Sequence, residues 1–379
     1  MSMPIFWVGL DVHKDSVTAA VFRNRDAEPM QVDRLPYDHK RLRRYFERLS
    51  PDGSLRICYE ASGAGYVLQR ALTDWGFPCE LAAPSLIPKR PGDQRKHDRR
   101  DAIELARHYR AGQLVLVHVP SEADEQVRDL VRCRETFQRE IIKSRHYILK
   151  FLRRRGFIYR EGTHWTTRHL NWIRQILQPS VLAEEDRTVL AEYFALLEYK
   201  LQRRDDLDRK IEALALRPRY KPVVDRIACF RGCKTQAAMV LATELGDVRR
   251  FESPRQLMAY VGLVPNERSS GERRRQGAIT KAGNARVRHV LIQAAWHYRN
   301  RPAVGAALRH RQRGQDPSVI AHAWKCQHRL YKLFHRLAAK KPRQVAATAV
   351  ARELVGFLWA ALKEVDVSQL QPQEVNQAA

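Results

Sequence analysis

The chain has 379 residues, the length of about two or three domains. It is 44% hydrophobic and 29% charged, with 18 glycines and 18 prolines, which excludes a wholly disordered or collagen-like protein. There are 68 Lys and Arg residues against 42 Asp and Glu, and the formal net charge is +26. An excess of this size predicts a polyanionic partner, with nucleic acid as the leading one.

Three further classes are disfavoured. Uncharged runs such as 235–243 are shorter than the roughly 20 apolar residues of a membrane span, so we expect no membrane partner. The N-terminal apolar run has no basic segment before it and ends at Asp11, unlike a signal peptide. The six cysteines are scattered, which predicts reduced thiols, neither a disulfide framework nor a zinc site, and a cytoplasmic location.

Residues 1–118 have the pattern of an α/β domain. Two apolar runs at 5–10 and 16–22 flank a turn-like segment and predict a hairpin. The other apolar runs predict strands at 55–59 and 79–83, and the helical patterns between them fall at 40–49, 66–75 and 98–110. Strands alternating with helices predict a mixed sheet covered by helices.

The remainder is expected to be all-α. Residues 119–216 contain two long helical patterns, at 121–151 and 187–216, which predict an antiparallel coiled-coil arm with a small insert. We expect this arm to mediate oligomerisation. Residues 217–365 predict a mainly helical C-terminal domain, and the Gln-rich end at 366–379 predicts a flexible tail.

Four carboxylates form the first candidate site. Asp11 and Glu60 follow predicted strands, and Asp98 and Asp101 share one face of a predicted helix. Hard oxygen ligands of this kind suit a two-magnesium site for phosphoryl transfer. Each residue also has a simpler interpretation: a turn residue, a strand-end charge, and a helix cap with a dipole partner.

The second candidate site is a Gly- and Arg-rich loop that carries Ser269 and Ser270. Cations near a hydroxyl stabilise its alkoxide and also bind a phosphodiester. The simpler alternative is a phosphate-binding loop without chemistry. The cations in and after this loop are Arg268, Arg273, Arg274, Arg275, Lys281, Arg286 and Arg288.

Two weaker patterns also point to nucleic acid. Residues 227–246 resemble a helix–hairpin–helix in which Gly232 forms the turn that presents backbone N–H groups to a phosphate; a plain helical hairpin in the core fits equally well. The basic run Arg153, Arg154 and Arg155 in the arm predicts a nucleic-acid track, with a solvated helix face as the alternative.

These motifs together resemble one family. GLDVHK at 9–14, YEASG at 59–63 and KHDRRDA at 96–102 are similar to the DEDD domain of the IS-one-ten family of insertion-sequence transposases. The segment GLVPNERSSGERRRQGAITKAGN at 262–284, followed by VRHVLIQAA, is similar to that family's second catalytic domain. KPRQVAATAVAREL at 341–354 matches its C-terminal helix. The chain departs from the family at FRGCK, 230–234, and has His97 where Thr is usual.

The resemblance implies a RuvC-like, ribonuclease H-type N-terminal domain that supplies magnesium and acidic groups. Its tetrad would be Asp11, Glu60, Asp98 and Asp101. A serine of the C-terminal domain would attack DNA, and Ser270 is preferred over Ser269 because relatives usually keep a Ser directly before this Gly. A structured guide RNA would bridge the element ends and the target DNA. Because strand exchange needs at least two active sites held together, we also expect a homo-oligomer, a dimer or tetramer.

Two other functions stay open at the level of the sequence. A RuvC-type magnesium-dependent nuclease would use the tetrad alone and form no covalent intermediate. A non-catalytic nucleic-acid-binding protein would keep the acidic residues for structural reasons. A covalent protein–DNA adduct separates the recombinase from both.

Overall fold

The structure is a computed structural model that describes residues 3–88, 97–267, 276–367 and 370. The chain divides into two compact units, Met1–Pro120 and Ser121–Ala379. The sequence-based division into segments 1–118, 119–216, 217–365 and 366–379 is finer than these two units and stays a prediction.

The first unit contains a six-stranded mixed sheet in the order β3-β2-β1-β4-β5-β6. Strands β1, β4 and β5 are parallel, and the other neighbouring pairs are antiparallel. The mixed α/β prediction is confirmed, including the β1–β2 hairpin. The sequence analysis missed β3 and β6, because one is polar and the other has two residues. The strands are β1 (Ile5–Val12), β2 (Ser16–Arg23), β3 (Gln31–Pro36), β4 (Ser54–Glu60), β5 (Cys79–Ala82) and β6 (Leu116–Val117).

Helices cover both faces of this sheet. They are α1 (His39–Leu49), α2 (Val67–Asp74) and α3 (Asp98–Arg110). On one face, Phe46 of α1 and Leu68 of α2 are fully buried in a cluster with Leu10. On the other face, Leu105 of α3 is buried with Cys58 of β4. Successive side chains of β1 therefore alternate between two apolar layers.

Gly9 permits a very close approach between β1 and α3. A Cβ atom at Gly9 would lie 2.3 Å from the carbonyl oxygen of Ala102 and 2.5 Å from the backbone nitrogen of Ala106. Any side chain at this position would push the helix away. The close approach brings the first turn of α3 to the carboxyl end of β1.

The second unit begins with a long antiparallel helix pair. It consists of α4 (Glu122–Arg154) and α6 (Glu184–Ala215), with α5 (Thr167–Ile176) between them. Arg134 of α4 bonds Asp208 of α6, whereas Arg155 at the far end of α4 bonds Asp186 near the start of α6. Residues later in α4 thus pair with residues earlier in α6, so the two helices run in opposite directions, as predicted for the arm.

The insert between α4 and α6 is organised around a buried histidine. His169 of α5 is fully buried, and its ring stacks on Trp172 with centroids 5.6 Å apart. Its Nδ1 accepts a hydrogen bond from the backbone N–H of Trp165. Burial lowers the pKa of His169 to about 4. The imidazole is therefore neutral at physiological pH and acts as an aromatic core residue.

The remainder of the second unit is mainly helical around α13, which buries residues on several sides. Helix α13 alone among the described helices is long and apolar enough to cross a membrane, and half of its apolar window is buried against this core. The elements are α7 (Lys221–Ala228), α8 (Thr235–Leu245), α9 (Pro254–Tyr260), β7 (Pro265–Glu267), β8 (Gln276–Ile279), α10 (Ala285–Ala295), α11 (Ala306–Gln312), α12 (Pro317–Ala338) and α13 (Arg343–Leu362).

Replacing Gly9 with alanine tests the close contact between β1 and α3. An overpacked site typically lowers the free energy of unfolding by about 1–3 kcal/mol. We expect Gly9→Ala to lower it by at least that amount. The matched control is Gly63→Ala, since a Cβ at Gly63 meets no atom within 4 Å. Urea unfolding of both variants measures the difference, and equal stabilities would contradict the proposed packing role of Gly9.

Candidate active site

Asp11 and His13 lie at the carboxyl end of β1 and the turn after it. Leu10 faces the layer of α1 and α2, so Asp11 faces the side that α3 covers. The Nε2 atom of His13 lies 3.1 Å from Oδ2 of Asp11 and 3.4 Å from Oδ1 of Asp98. His13 therefore bridges a carboxylate from β1 and a carboxylate from α3.

Asp98 and Asp101 both belong to the first turn of α3. The helix begins at Asp98 and His97 is the N-cap residue, so the alternative in which Asp98 caps the helix is wrong. Unpaired N–H groups give the start of a helix a partial positive charge, which stabilises nearby carboxylates. The interpretation of these residues as dipole partners remains compatible with a metal-binding role.

Glu60 ends β4, the parallel neighbour of β1. Leu10 pairs with Tyr59 in the register of the two strands, which places Asp11 and Glu60 at adjacent strand ends. Tyr59 shares the buried layer of Leu10, so Glu60 lies on the same sheet face as Asp11. Crevices at the carboxyl ends of parallel strands are common ligand sites in α/β proteins.

Burial and neighbouring carboxylates act together on Asp11. The pKa of Asp11 is raised, first by burial and also by the charges of Asp98 and Asp101, while His13 opposes the shift. Asp101 is thus close enough to act electrostatically on Asp11. A cation placed among these groups would remove the repulsion between them.

The donor set fits a metal ion. Among the described residues, the donor atoms of Asp11, His13 and Asp98 all lie within 4.8 Å of one another, and Glu60 and Asp101 are outside that group. Carboxylate oxygens suit Mg²⁺, whereas imidazole is typical of softer transition metals. Asp11 and Asp98 would hold the metal, with Glu60 nearby. The sequence analysis assigned His13 no role; its signal was the Asp-x-His spacing in a turn.

Ser269, Ser270 and four of the predicted phosphate-binding arginines, Arg268, Arg273, Arg274 and Arg275, lie outside the described residues. The elements on either side of them are described. Strands β7 and β8 form an antiparallel ribbon. At its base, the Thr280 N–H donates to the carbonyl of Val264, and the Lys281 N–H donates to that of Gly262. Lys281 itself is exposed.

A buried ionic network lies directly after the ribbon. The side chain of Glu244 is 2% exposed and accepts a bidentate bond from Arg132 of α4, at 2.7 and 3.0 Å. Its Oε2 also accepts from Nδ2 of Asn284, which caps α10. Burial alone would raise the pKa of Glu244, but these hydrogen bonds and the Arg132 charge lower it. The network ties the arm to the chain segment that follows β8.

Arg286 and Arg288, which the sequence predicts to bind nucleic acid, make internal contacts, and their nucleic-acid role stays a prediction. Arg286 forms an ion pair with Glu135 of α4. Nη1 of Arg288 donates to the carbonyl oxygens of Val261 and Ala282, and burial lowers its pKa. These contacts give both arginines a structural role around the ribbon.

The helical hairpin of α7 and α8 belongs to the core. Gly232 has φ +85°, and a Cβ there would lie 2.7 Å from the carbonyl oxygen of Ala294 in α10. Cys229 and Phe230 beside it are fully buried. Gly232 is therefore needed for close helix packing, which favours the core hairpin over a phosphate-binding turn.

The basic run of the arm is divided. Arg155 forms a bidentate pair with Asp186, which raises the pKa of the arginine. Arg153 and Arg154 are exposed at the end of α4. Among the described residues, Arg153 and Arg154 have no bidentate carboxylate partner. Their guanidinium groups are therefore the two of this basic run that remain open to an anion.

Two family models match the chain, one over the sheet with its acidic edge and one over the ribbon. A model described as "Transposase", of the DEDD type found in IS110 elements, matches residues 8–155, and one described as "Transposase IS116/IS110/IS902 family" matches residues 224–309. The chain belongs to the IS110/IS116/IS902 family of transposases. It is thus an enzyme of DNA transposition, and DNA is its substrate.

Full-length relatives agree with this assignment. The chain is 39% identical to the putative transposase y4qE of Sinorhizobium fredii, over 94% of this chain and 88% of that protein. It is 28% identical to the transposase for insertion sequence element IS1533 of Leptospira borgpetersenii, over 89% and 98% of the two chains. The transposase for IS1111A of Coxiella burnetii is 24% identical over 81% and 77%.

The raised pKa of Asp11 predicts how the protein responds to metal. The pKa of Asp11 in the folded protein lies above its ordinary value of 3.8. Asp11 therefore contributes fully to the free energy of unfolding below pH 3.8, and this contribution is lost as the pH rises through the folded pKa. At pH 7 in EDTA, Asp11→Asn should therefore raise the Tm. Magnesium should raise the Tm of the parent protein by a few degrees but not that of Asp11→Asn.

The control for this prediction is Asp15→Asn, in the same turn. Asp15 is exposed and outside the donor group, so its Tm should respond to magnesium as the parent does. A magnesium response that survives in Asp11→Asn would contradict the proposed metal site.

Proposed function

We propose that this transposase is an RNA-guided, magnesium-dependent recombinase that cuts and rejoins DNA through Ser270. The supporting observation is the convergence of Asp11, Asp98 and His13 where β1 meets the first turn of α3. Glu60 at the adjacent strand end and Asp101, also in the first turn of α3, would complete a four-carboxylate site. The mixed sheet order and the helix pair on one face favour a RuvC-like, ribonuclease H-type fold for the first unit.

Magnesium bound by the carboxylates would neutralise a DNA phosphate and stabilise the charge that develops during phosphoryl transfer. Asp11 and Asp98 would hold it from the strand end and the helix start. His13 would orient the two carboxylates through the hydrogen bond between its Nε2 and Asp11 and through its close contact with Asp98. The net charge of +26 would draw the phosphate backbone towards these acidic groups.

Ser270 would supply the covalent step. Its Oγ forms a bond to a DNA phosphorus, one phosphodiester P–O bond breaks, and the released strand end carries a hydroxyl. The serine proton passes to a general base, and the leaving oxygen takes up a proton from a general acid to form that hydroxyl. Rejoining reverses these changes with a second strand end, so the bond energy is conserved in the serine ester. Arg268, Arg273, Arg274 and Arg275 would bind the phosphate.

A guide RNA would supply the sequence specificity. The sequence has no zinc finger or basic zipper, and cations spread over the chain suit backbone contacts, which do not read bases. Base pairing to an RNA provides the missing readout. Strand exchange also needs at least two active sites, so we propose a homo-oligomer, a dimer or tetramer, that acts in the cytoplasm.

The carboxylate geometry also favours one alternative function. A RuvC-type nuclease would need only the tetrad and magnesium, and it would release cut DNA without a covalent intermediate.

The serine mechanism predicts a protein–DNA adduct that depends on Ser270. Incubating the enzyme, its RNA and a labelled element end with magnesium should give a denaturation-resistant adduct, detected on a denaturing gel. Ser270→Ala should abolish the adduct, and Asp101→Asn should abolish it while DNA binding is kept. Ser269→Ala is the matched control and should only weaken it. Cleavage without any adduct would favour the nuclease.

RNA guidance predicts that recombination depends on co-purified RNA. Enzyme purified with ribonuclease treatment should lose recombination of a plasmid carrying the element ends, and adding back RNA transcribed from the element should restore it. An unrelated RNA of the same length is the control. Site-specific recombination by RNA-free protein would refute guidance and leave the transposase assignment intact.

A further inference from the structure

An open cleft lies near the end of the arm, at the C-terminal end of α4. It is lined by two tyrosines and three cations, with a volume of about 610 Å³, within the range of about 300–1,000 Å³ typical of small-ligand sites. None of its lining residues is acidic. They are Tyr147, Lys150, Arg153, Arg154 and Tyr193.

The two tyrosines form an aromatic platform. Their rings stack with centroids 5.9 Å apart and an interplanar angle of 30°. Tyr193 is held from behind by an edge-on contact with Phe151. Tyr147 is 51% exposed. A supported ring pair with one half-exposed member offers an apolar surface to a flat ligand.

The cations of the cleft are available to an anion. Lys150, Arg153 and Arg154 are exposed, and no ion pair involves Lys150 or Arg153 in the part of the chain that is described. Arg155, one residue further on, is instead held by Asp186. Cations at a helix end also offset the helix dipole, but that effect does not explain a stacked aromatic pair with an exposed Tyr147 beside them.

We propose that this cleft binds an unpaired nucleotide of a single-stranded nucleic acid. The base stacks on Tyr147, and Lys150, Arg153 and Arg154 contact the phosphates on either side. Aromatic platforms flanked by cations are the usual means of single-strand binding, because every base has a stacking face. A base within a duplex has no free face, so duplexes gain only the charge contacts.

This inference deepens the proposed function and rests on it, since it assigns a binding site to the nucleic acid that the recombinase handles. The strand is either a loop of the RNA or DNA unpaired during exchange. The two share the chemistry of a base and a phosphate, and separate RNA and DNA probes distinguish them.

The first test is fluorescence anisotropy with the full-length protein, using labelled oligouridylate and oligothymidylate of about 12 nucleotides and a duplex of the same length. Tyr147→Ala should weaken single-strand binding about tenfold or more, as stacking losses do, and should leave duplex binding unchanged. Tyr147→Phe should bind as the parent does. If Tyr147→Ala loses more affinity for oligouridylate than for oligothymidylate, the natural strand is RNA, and the reverse result identifies DNA.

Matched controls lie on the same two helices. Tyr199 of α6 is 58% exposed and Arg139 of α4 is exposed, and neither lines the cleft. Tyr199→Ala and Arg139→Ala should leave single-strand affinity unchanged. An equal loss in Tyr199→Ala, or an equal loss on the duplex in Tyr147→Ala, would overturn the proposal.

The second test locates the contact. An oligomer with one 5-bromouracil should crosslink under light to the peptides containing Tyr147 or Tyr193, identified by mass spectrometry. Crosslinks confined to other peptides would overturn the proposal. Both tests measure binding without cleavage, so an inactive Ser270→Ala protein should give the same results. Failure of the serine mechanism is therefore distinguishable from failure of this site.

Discussion

Helix α3 lies against strand β1 with no side chain between their backbones at Gly9. The buried Ala102 and Ala106 complete this contact on the helix side. Because the helix approaches so closely, its first turn reaches the end of the strand, and Asp98 comes within hydrogen-bonding range of the same His13 that contacts Asp11. The carboxylate site therefore depends on this backbone packing.

Placing Asp11 in this site has an electrostatic cost, because burial in the first place, and then the charges of Asp98 and Asp101, raise its pKa. Three features offset it: the positive start of α3, the imidazole of His13, and the basic character of the whole chain. A site that remains repulsive without a cation is predisposed to bind one. The same balance operates in the second unit, where the buried Glu244 is kept ionised by Arg132 and Asn284.

The second unit connects its ribbon to its arm through that buried network. Asn284 caps α10 and bonds Glu244, while Arg132 and Glu135 reach the network from α4. The chain segment after β8 therefore has a fixed attachment to the arm. Arg286 takes part in this attachment, whereas Arg288 bonds the backbone of Val261 and Ala282 next to the ribbon.

The local sequence pattern was enough to predict most of the strands, the long helices and the candidate carboxylates. Hydrophobic periodicity identified β1, β2, β4, β5 and the long arm helices, and the acidic motifs identified Asp11, Glu60, Asp98 and Asp101 as candidates, because these signals depend on neighbours in the chain. Tertiary structure alone decided the rest. The edge strands β3 and β6 are polar and short, respectively, and so lack a clear strand signal in the sequence. The contact of His13 with Asp98, the pairing of Arg155 with Asp186 and the Tyr147–Tyr193 cleft each involve residues that are distant in sequence. Only packing brings such groups together.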